Sequence, residues 1–257
     1  MERSSRGPFD VDAYLRRIDH PPVRAPTAES LATLHRAHLL AVPFENLDIH
    51  RKHPIRLEED ALFDKVVRRR RGGFCYELNG AFAALLRALG FEVGLLSARV
   101  RGDAGLGPEL DHLALVVTLE ERWLVDVGFG DSFSSPLRLD VREPQIDGDR
   151  AYCIREDDDR GLWLDERRDD GPFQASYRFT LERRALTDFD AMCLFHQTSP
   201  ESHFTRQTVC SLPTREGRIT LRGEGLLTTR GREKSEVPLP TEADRMEALK
   251  RWFGIVL

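Results

Sequence analysis

The hydrophobic period of this chain changes near residue 90, and that change restricts the fold more than any other feature. Before it, apolar residues recur at helical spacing. Residues 9–18 carry Phe9, Val11, Tyr14, Leu15 and Ile18 on one stripe, which His20-Pro21-Pro22 ends. Thr27 is placed to cap a helix holding Leu31, Leu34, His38, Leu39 and Val42, and Pro43 stops it. His35 and His38 read as surface or core-edge residues of that helix. The pattern continues over 58–70 and 75–89, with Gly90 as the last stop. After it, 91–100, 113–119 and 122–127 read as strands, and shorter strands are expected around 151–155, 162–164 and 176–181. The acidic run 156–160 reads as a solvated turn. The last sixty residues mix both periods. They hold a helix over 188–197, a small antiparallel sheet from 208–212, 218–222 and 225–229, and a closing helix over 242–253. That helix is expected to turn Met246, Leu249, Trp252 and Phe253 inward. Helices first, strands next and a mixed end predict an α+β fold, not an alternating parallel one.

The 257 residues suit one or two domains and can bury a core without a disulfide or metal staple. A net charge of −5 argues against a dedicated nucleic-acid or anionic-membrane binder, while leaving room for a local basic pocket for a phosphorylated ligand. No apolar run reaches 18 residues, and no apolar signal core follows the opening Met1-Glu2-Arg3-Ser4-Ser5-Arg6. The four cysteines, Cys75, Cys153, Cys193 and Cys210, form no CxxC, and none has a histidine at zinc-motif spacing. The expectation is free thiols in a reducing cytoplasm, with no metal site.

One cysteine stands apart. In Arg71-Gly72-Gly73-Phe74-Cys75-Tyr76-Glu77-Leu78-Asn79, two glycines precede Cys75 at a predicted helix start. Glycine permits a sharp turn and close approach to a substrate, and a helix start favours negative charge, which would stabilise a thiolate. A cysteine nucleophile also needs a base and a group to orient it. His112 opens the apolar strand Leu113-Ala114-Leu115-Val116-Val117, and Asp126 lies among apolar residues of the next strand. Strand alternation puts His112 and Asp126 on one face only if the hairpin loop has an odd length, such as Leu119-Glu120-Glu121, or the strands carry a bulge. The prediction is the odd loop, with Cys75 as nucleophile, His112 as base and Asp126 as its orienter.

These segments resemble the arylamine N-acetyltransferases. The block from Arg71 to Asn79 is similar to that family's active-site segment. Asp111-His112-Leu113 and Asp126-Val127-Gly128-Phe129-Gly130 match its His and Asp segments in the same order. Pro43-Phe44-Glu45-Asn46-Leu47 and His196-Gln197-Thr198-Ser199-Pro200 are further family-like blocks, so the likeness runs from about residue 30 to 205. It implies a helical N-terminal bundle (1–90) carrying the nucleophile, a central antiparallel β-barrel-like domain (91–190) and a C-terminal α/β lid (191–257), around a cysteine-protease/transglutaminase-like core. It implies a thiolate–imidazolium pair and ping-pong transfer of acetyl from acetyl-CoA, through Cys75, to an arylamine, hydrazine or arylhydroxylamine. Phe44, Phe129 and Phe204 would line the substrate pocket, and Gly128 and Gly130 would allow close approach beside the cofactor. The loop over 130–136 would help hold its pantetheine or phosphates, and Glu45 and Arg71 would pair behind the site.

Other readings share these residues. Papain-like proteases place His and Asn about 130–150 residues after the cysteine, whereas here the base lies at His112 and the acid at Asp126. A transglutaminase-like enzyme, a thiol hydrolase or an amide synthase on the same scaffold stays open. In a non-catalytic binding module Cys75 would be a packing residue, and Asp126 would need another partner.

Overall fold

A computed structural model describes residues 9–231 and 233–257; residues 1–6, read above for a signal core, lie outside them. The chain opens with α1 (Val11–Arg17) and α2 (Ala28–Ala41). Thr27 caps α2 as expected, and Ser30 returns the bond to the Thr27 backbone. A two-residue strand β1 (Phe44–Glu45) and a short α3 (Leu47–His50) follow. The next helical stretch is α4 (Glu59–Phe63) continued by a π-helical turn over Asp64–Arg68. This turn buries three consecutive residues, Lys65, Val66 and Val67. Then comes α5 (Cys75–Ala88), with Gly90 at φ +89° just beyond its end.

Strands occupy the middle: β2 (Glu92–Gly102), β3 (Gly105–Leu106), β4 (His112–Thr118), β5 (Arg122–Val125), β6 (Leu137–Arg138), β7 (Gln145–Asp147), β8 (Arg150–Glu156), β9 (Leu162–Arg168) and β10 (Gln174–Arg184). They pair antiparallel in the order β6-β5-β4-β2-β10-β9-β8-β7, with β3 on β2. The two end strands, β6 and β7, are bridged by Gln145. Its side chain accepts from the Arg138 amide (2.7 Å) and donates to the Arg138 carbonyl (3.0 Å), so the barrel is nearly closed.

The hairpin of β4 and β5 explains why these strands read as almost continuously apolar. Thr118 pairs with Arg122, so the loop is the three residues Leu119, Glu120 and Glu121, the odd length predicted. Leu113, Leu115, Val117 and Val125 then pack into the core beneath α5, while Ala114, Val116 and Leu124 fill the barrel interior with Tyr152 and Tyr177. Both faces are buried, and only parity distinguishes them.

The chain closes with a 3-10 turn (Leu186–Phe189), α6 (Asp190–Thr198), α7 (His203–Arg206), β11 (Val209–Pro213), β12 (Gly217–Arg222), β13 (Gly225–Arg230), β14 (Glu233–Pro238) and α8 (Glu242–Phe253). The second sheet runs β1-β11-β12-β13-β14, so a strand from before α5 joins it. Phe189 and Cys193 belong to the helical core, whereas Cys210 packs with Leu249 and Phe253 of α8. Three expectations are corrected. Trp252 does not turn inward: it is 37% exposed, and Arg251 covers its ring at 5.0 Å. His35 and His38 are fully buried, not core-edge. The turn at 156–160 is not simply solvated, because Asp157 accepts from Arg178 (2.6 Å) and Trp163 (3.1 Å).

Candidate active site

The glycine pair acts through packing. A Cβ on Gly72 would stand 1.8 Å from the Pro43 carbonyl oxygen, and one on Gly73 would stand 2.7 Å from the Glu77 side chain. Without those carbons the segment lies against residues 43–45, where the Glu45 amide donates to the Gly73 carbonyl (2.8 Å). The glycines therefore serve the approach of backbone to backbone. This seats Cys75 as the first residue of α5 and sets Phe44 on the same cavity as the thiol.

Cys75 is 3% exposed. Burial pushes its thiol well above the ordinary range; a backbone hydrogen bond at Leu113 opposes this, and the charge on Asp126 adds to it. Desolvation thus outweighs the helix start that suggested a stabilised thiolate. Such a thiol reacts only if a neighbour takes its proton.

His112 and Asp126 stand on the same face of the hairpin, as its parity requires. His112 Nε2 lies 2.7 Å from Asp126 Oδ2, with both side chains buried. Asn79, one helical turn after Cys75, locks this pair to α5. Its Nδ2 donates to Asp126 Oδ1 (2.8 Å) and to the Leu113 carbonyl (2.6 Å), and its Oδ1 accepts from the Val127 amide (2.9 Å). The Gly128 amide gives Asp126 Oδ1 a further bond (2.9 Å). Burial alone would raise the Asp126 carboxyl, but His112, Asn79 and Gly128 outweigh it and hold it low, hence ionised.

A cavity of about 580 Å³ is lined by Cys75, His112, Phe44, Phe129 and Phe204, with Gly128 and Gly130 in its wall. The Phe129 ring meets His112 edge-on at 5.3 Å, and Phe44 lies 6.2 Å from Phe204. Gly128 packs directly on Cys75, since a Cβ there would fall 2.8 Å from Cys75 Cα. Gly130 has φ +94° and faces the Phe44 ring.

Behind Cys75 lies a buried charge cluster larger than the expected pair. Arg71 contacts Glu45 (2.7 Å) and Asp48 (3.1 Å), and Lys65 contacts Asp48 (2.8 Å) and Glu77 (2.6 Å). Three carboxylates face two cations. Burial, reinforced by the Glu45 and Asp48 charges, pushes Glu77 up to about 7 against the pull of Lys65.

Residues to which sequence reasoning assigned no role at the site surround it. Tyr177 on β10 is fully buried, its ring 5.4 Å from His112 and 5.3 Å from Phe129. Its hydroxyl lies beside Asp126 without a well-formed hydrogen bond; burial and then the Asp126 charge push it well above the ordinary tyrosine range. His35 supports the Asp126 backbone, with Nε2 3.2 Å from the Asp126 carbonyl and Nδ1 3.0 Å from the Ser134 carbonyl. A second pair, His196 and Asp111 (3.2 Å), lies under the rim, and Ser202 holds the other His196 nitrogen (3.0 Å). Asn79 had a signal in the sequence, four residues after Cys75 on one helix face. Tyr177 had none.

The N-acetyltransferase family model matches residues 27–257. An arylamine N-acetyltransferase from Mycolicibacterium smegmatis is 36% identical over 97% of this chain and 93% of its own length. The structure of the Mycobacterium marinum arylamine N-acetyltransferase in complex with CoA superposes with a TM-score of 0.87 at 34% identity, covering 96% of this chain and 93% of that one. A Bacillus cereus arylamine N-acetyltransferase, described as having a unique Cys-His-Glu catalytic triad, superposes with a TM-score of 0.90 at 25% identity, covering 97% of this chain and all of that one. The chain belongs to the arylamine N-acetyltransferase family and is an acyltransferase. Among the described residues, no helix is long and apolar enough to cross a membrane.

Proposed function

We propose that this chain moves acetyl from acetyl-CoA to the nitrogen of an arylamine, arylhydrazine or arylhydroxylamine through a thioester on Cys75. The observation that carries the reading is the 2.7 Å His112–Asp126 pair, with His112 lining the same cavity as Cys75. The CoA complex of the M. marinum relative supports the choice of donor.

The desolvated Cys75 thiol first gives its proton to His112. Nδ1 receives it, because Nε2 is engaged by Asp126, and the ionised carboxylate offsets the imidazolium charge. Sγ then attacks the acetyl carbon, the bond from that carbon to the CoA sulfur breaks, and the departing sulfur takes the proton from His112. In the second step the amine nitrogen attacks the thioester and His112 accepts its N–H proton. Cys75 leaves as thiolate, which restores the starting pair. Acid–base help of this kind is worth about 10²–10⁴ in rate.

Phe44, Phe129 and Phe204 form an aromatic wall for the acceptor ring, and Gly128 and Gly130 border the path of the pantetheine. In this reading residues 1–90 supply the nucleophile, 91–190 the base and its orienter, and 191–257 the lid. The chemistry needs a free thiol, which favours a reducing cytoplasm as its location, and the proposed partners are small molecules rather than nucleic acid or membrane. Initial rates of aniline acetylation at several acetyl-CoA concentrations test the scheme. Parallel double-reciprocal lines are expected. Intersecting lines would mean that both substrates bind before chemistry, and would remove the thioester.

A further inference from the structure

The geometry points to Arg206 and Arg222 as the residues that hold the phosphates of the acyl donor. The inference rests on the acyl-CoA reading above and adds where the anionic end of that donor lies. It starts from the cavity wall. Arg218, Thr220 and Arg222 alternate along β12 and all line the cavity that holds Cys75 and His112. Across the strand pair, Arg218 stands opposite Pro213 and Arg222 opposite Val209, so the two arginines mark opposite ends of this wall. Four residues of strand separate them by about 13 Å.

The two ends differ in charge. At one, Arg218 is already engaged. Its guanidinium lies 3.0 Å from Asp131 and also donates to the Ser211 hydroxyl (3.0 Å) and the Gly130 carbonyl (2.6 Å). Asp131 is further held by Arg150 (2.7 Å) and Arg168 (3.0 Å), and a phosphate there would meet that carboxylate. At the other end, Arg222 and Arg206 are held only by neutral groups. Arg222 Nε donates to Gln207 Oε1 (2.7 Å). Arg206 Nε and Nη2 donate to the carbonyls of Pro200 (3.1 Å) and Glu201 (3.1 Å).

Among the described residues, neither arginine has a carboxylate within ion-pair distance. Both are exposed at the cavity mouth and oriented by their partners, with terminal guanidinium nitrogens left over. In a chain of net charge −5, that is a place made for an anion. A planar guanidinium matches phosphate oxygens in pairs. The donor thioester must reach Cys75 inside the same cavity, so its phosphate-bearing end emerges at this mouth.

The test compares two acetyl donors in acylation of Cys75: acetyl-CoA and the phosphate-free thioester S-acetyl-N-acetylcysteamine. The readout is the ratio of their kcat/KM values. In Arg206→Ala and in Arg222→Ala the ratio should fall about tenfold each, and on the order of a hundredfold in the double variant, through KM for acetyl-CoA. Arg222→Lys, which keeps the charge but not the fork, should recover part of the loss. A wild-type KM for acetyl-CoA that rises with salt, and rises less in the double variant, supports the assignment. An unchanged ratio in the double variant overturns it. So does equal loss with both donors, the mark of a structural effect. A raised KM for the acceptor 4-aminobenzoate, with the donor ratio intact, also overturns it and assigns the arginines to an acidic acceptor. If the wild-type enzyme is acylated by S-acetyl-N-acetylcysteamine but not by acetyl-CoA, the acyl-CoA reading itself fails.

Discussion

Replacing Lys65 by Met removes the cation that balances Glu77 directly behind Cys75. Lys65 Nζ lies 2.6 Å from Glu77 and 2.8 Å from Asp48, and its side chain is 5% exposed. Arg71 cannot take over, because its contacts go to Glu45 and Asp48. Three buried carboxylates would then face one guanidinium. Leaving a buried charge without its partner costs about 3–5 kcal/mol, a large part of the roughly 5–15 kcal/mol that holds a domain together. The cost depends on pH with a definite sign. The folded Glu77 pKa is already raised, to about 7 in the wild type. A carboxyl raised in the folded state contributes stability that is present below its unfolded pKa and lost as pH climbs towards the folded one. At about 1.4 kcal/mol per pH unit, the wild type loses about 2 kcal/mol through this group between pH 5.5 and 8. Without Lys65 the folded pKa moves higher, and the same interval costs about 3 kcal/mol. Urea unfolding at both pH values measures this. Lys65→Met should be less stable by about 3–5 kcal/mol at pH 8, and the deficit should shrink by about 1 kcal/mol at pH 5.5. A deficit below about 1 kcal/mol at pH 8, or one that is equal at both pH values, would refute the reasoning.

Asp126→Asn should lower kcat on the order of 10⁴-fold with the fold intact by circular dichroism, because an amide that donates to His112 Nε2 leaves the proton on Nδ1, the nitrogen needed as base. Activity within tenfold of wild type would contradict that role. Gly72→Ala should destabilise by about 3 kcal/mol, the upper end for overpacking, because its Cβ would meet the Pro43 carbonyl oxygen at 1.8 Å. An unchanged melting temperature would show that the loop yields instead.

What the sequence revealed of the site was local. Cys75 declares itself by its neighbours, and His112 and Asp126 follow from period-two alternation through a three-residue loop. What it concealed depends on long-range topology. Tyr177 lies about fifty residues beyond Asp126, and only the pairing of β10 with β2 and the near-closure of the barrel bring its ring to His112. Glu45 and Arg71 were expected as a pair. Lys65 and Asp48 join them: Lys65 is buried in the π-helical turn and contacts Asp48, a long-range pairing that local spacing does not show. The strands expected over 208–212, 218–222 and 225–229 are present as β11, β12 and β13, but β14 gave no sign: all six residues of Glu233–Pro238 are exposed, and no apolar alternation marks this edge. The Cys75 thiol shows the same limit. A helix start suggested a stabilised thiolate, but burial, which depends on the whole fold, decides the direction.

The central claim is that Cys75 carries the acetyl group, and intact-protein mass spectrometry tests it most directly. The protein is mixed with acetyl-CoA without acceptor, quenched in acid, and weighed before and after addition of aniline. One added acetyl is expected, about 42 Da from the acetyl-for-hydrogen exchange of acyl transfer, mapping to Cys75 and absent in Cys75→Ser. The adduct should be lost on addition of aniline, with acetanilide formed in equal amount. No adduct on Cys75, or an adduct that aniline does not discharge, would contradict it.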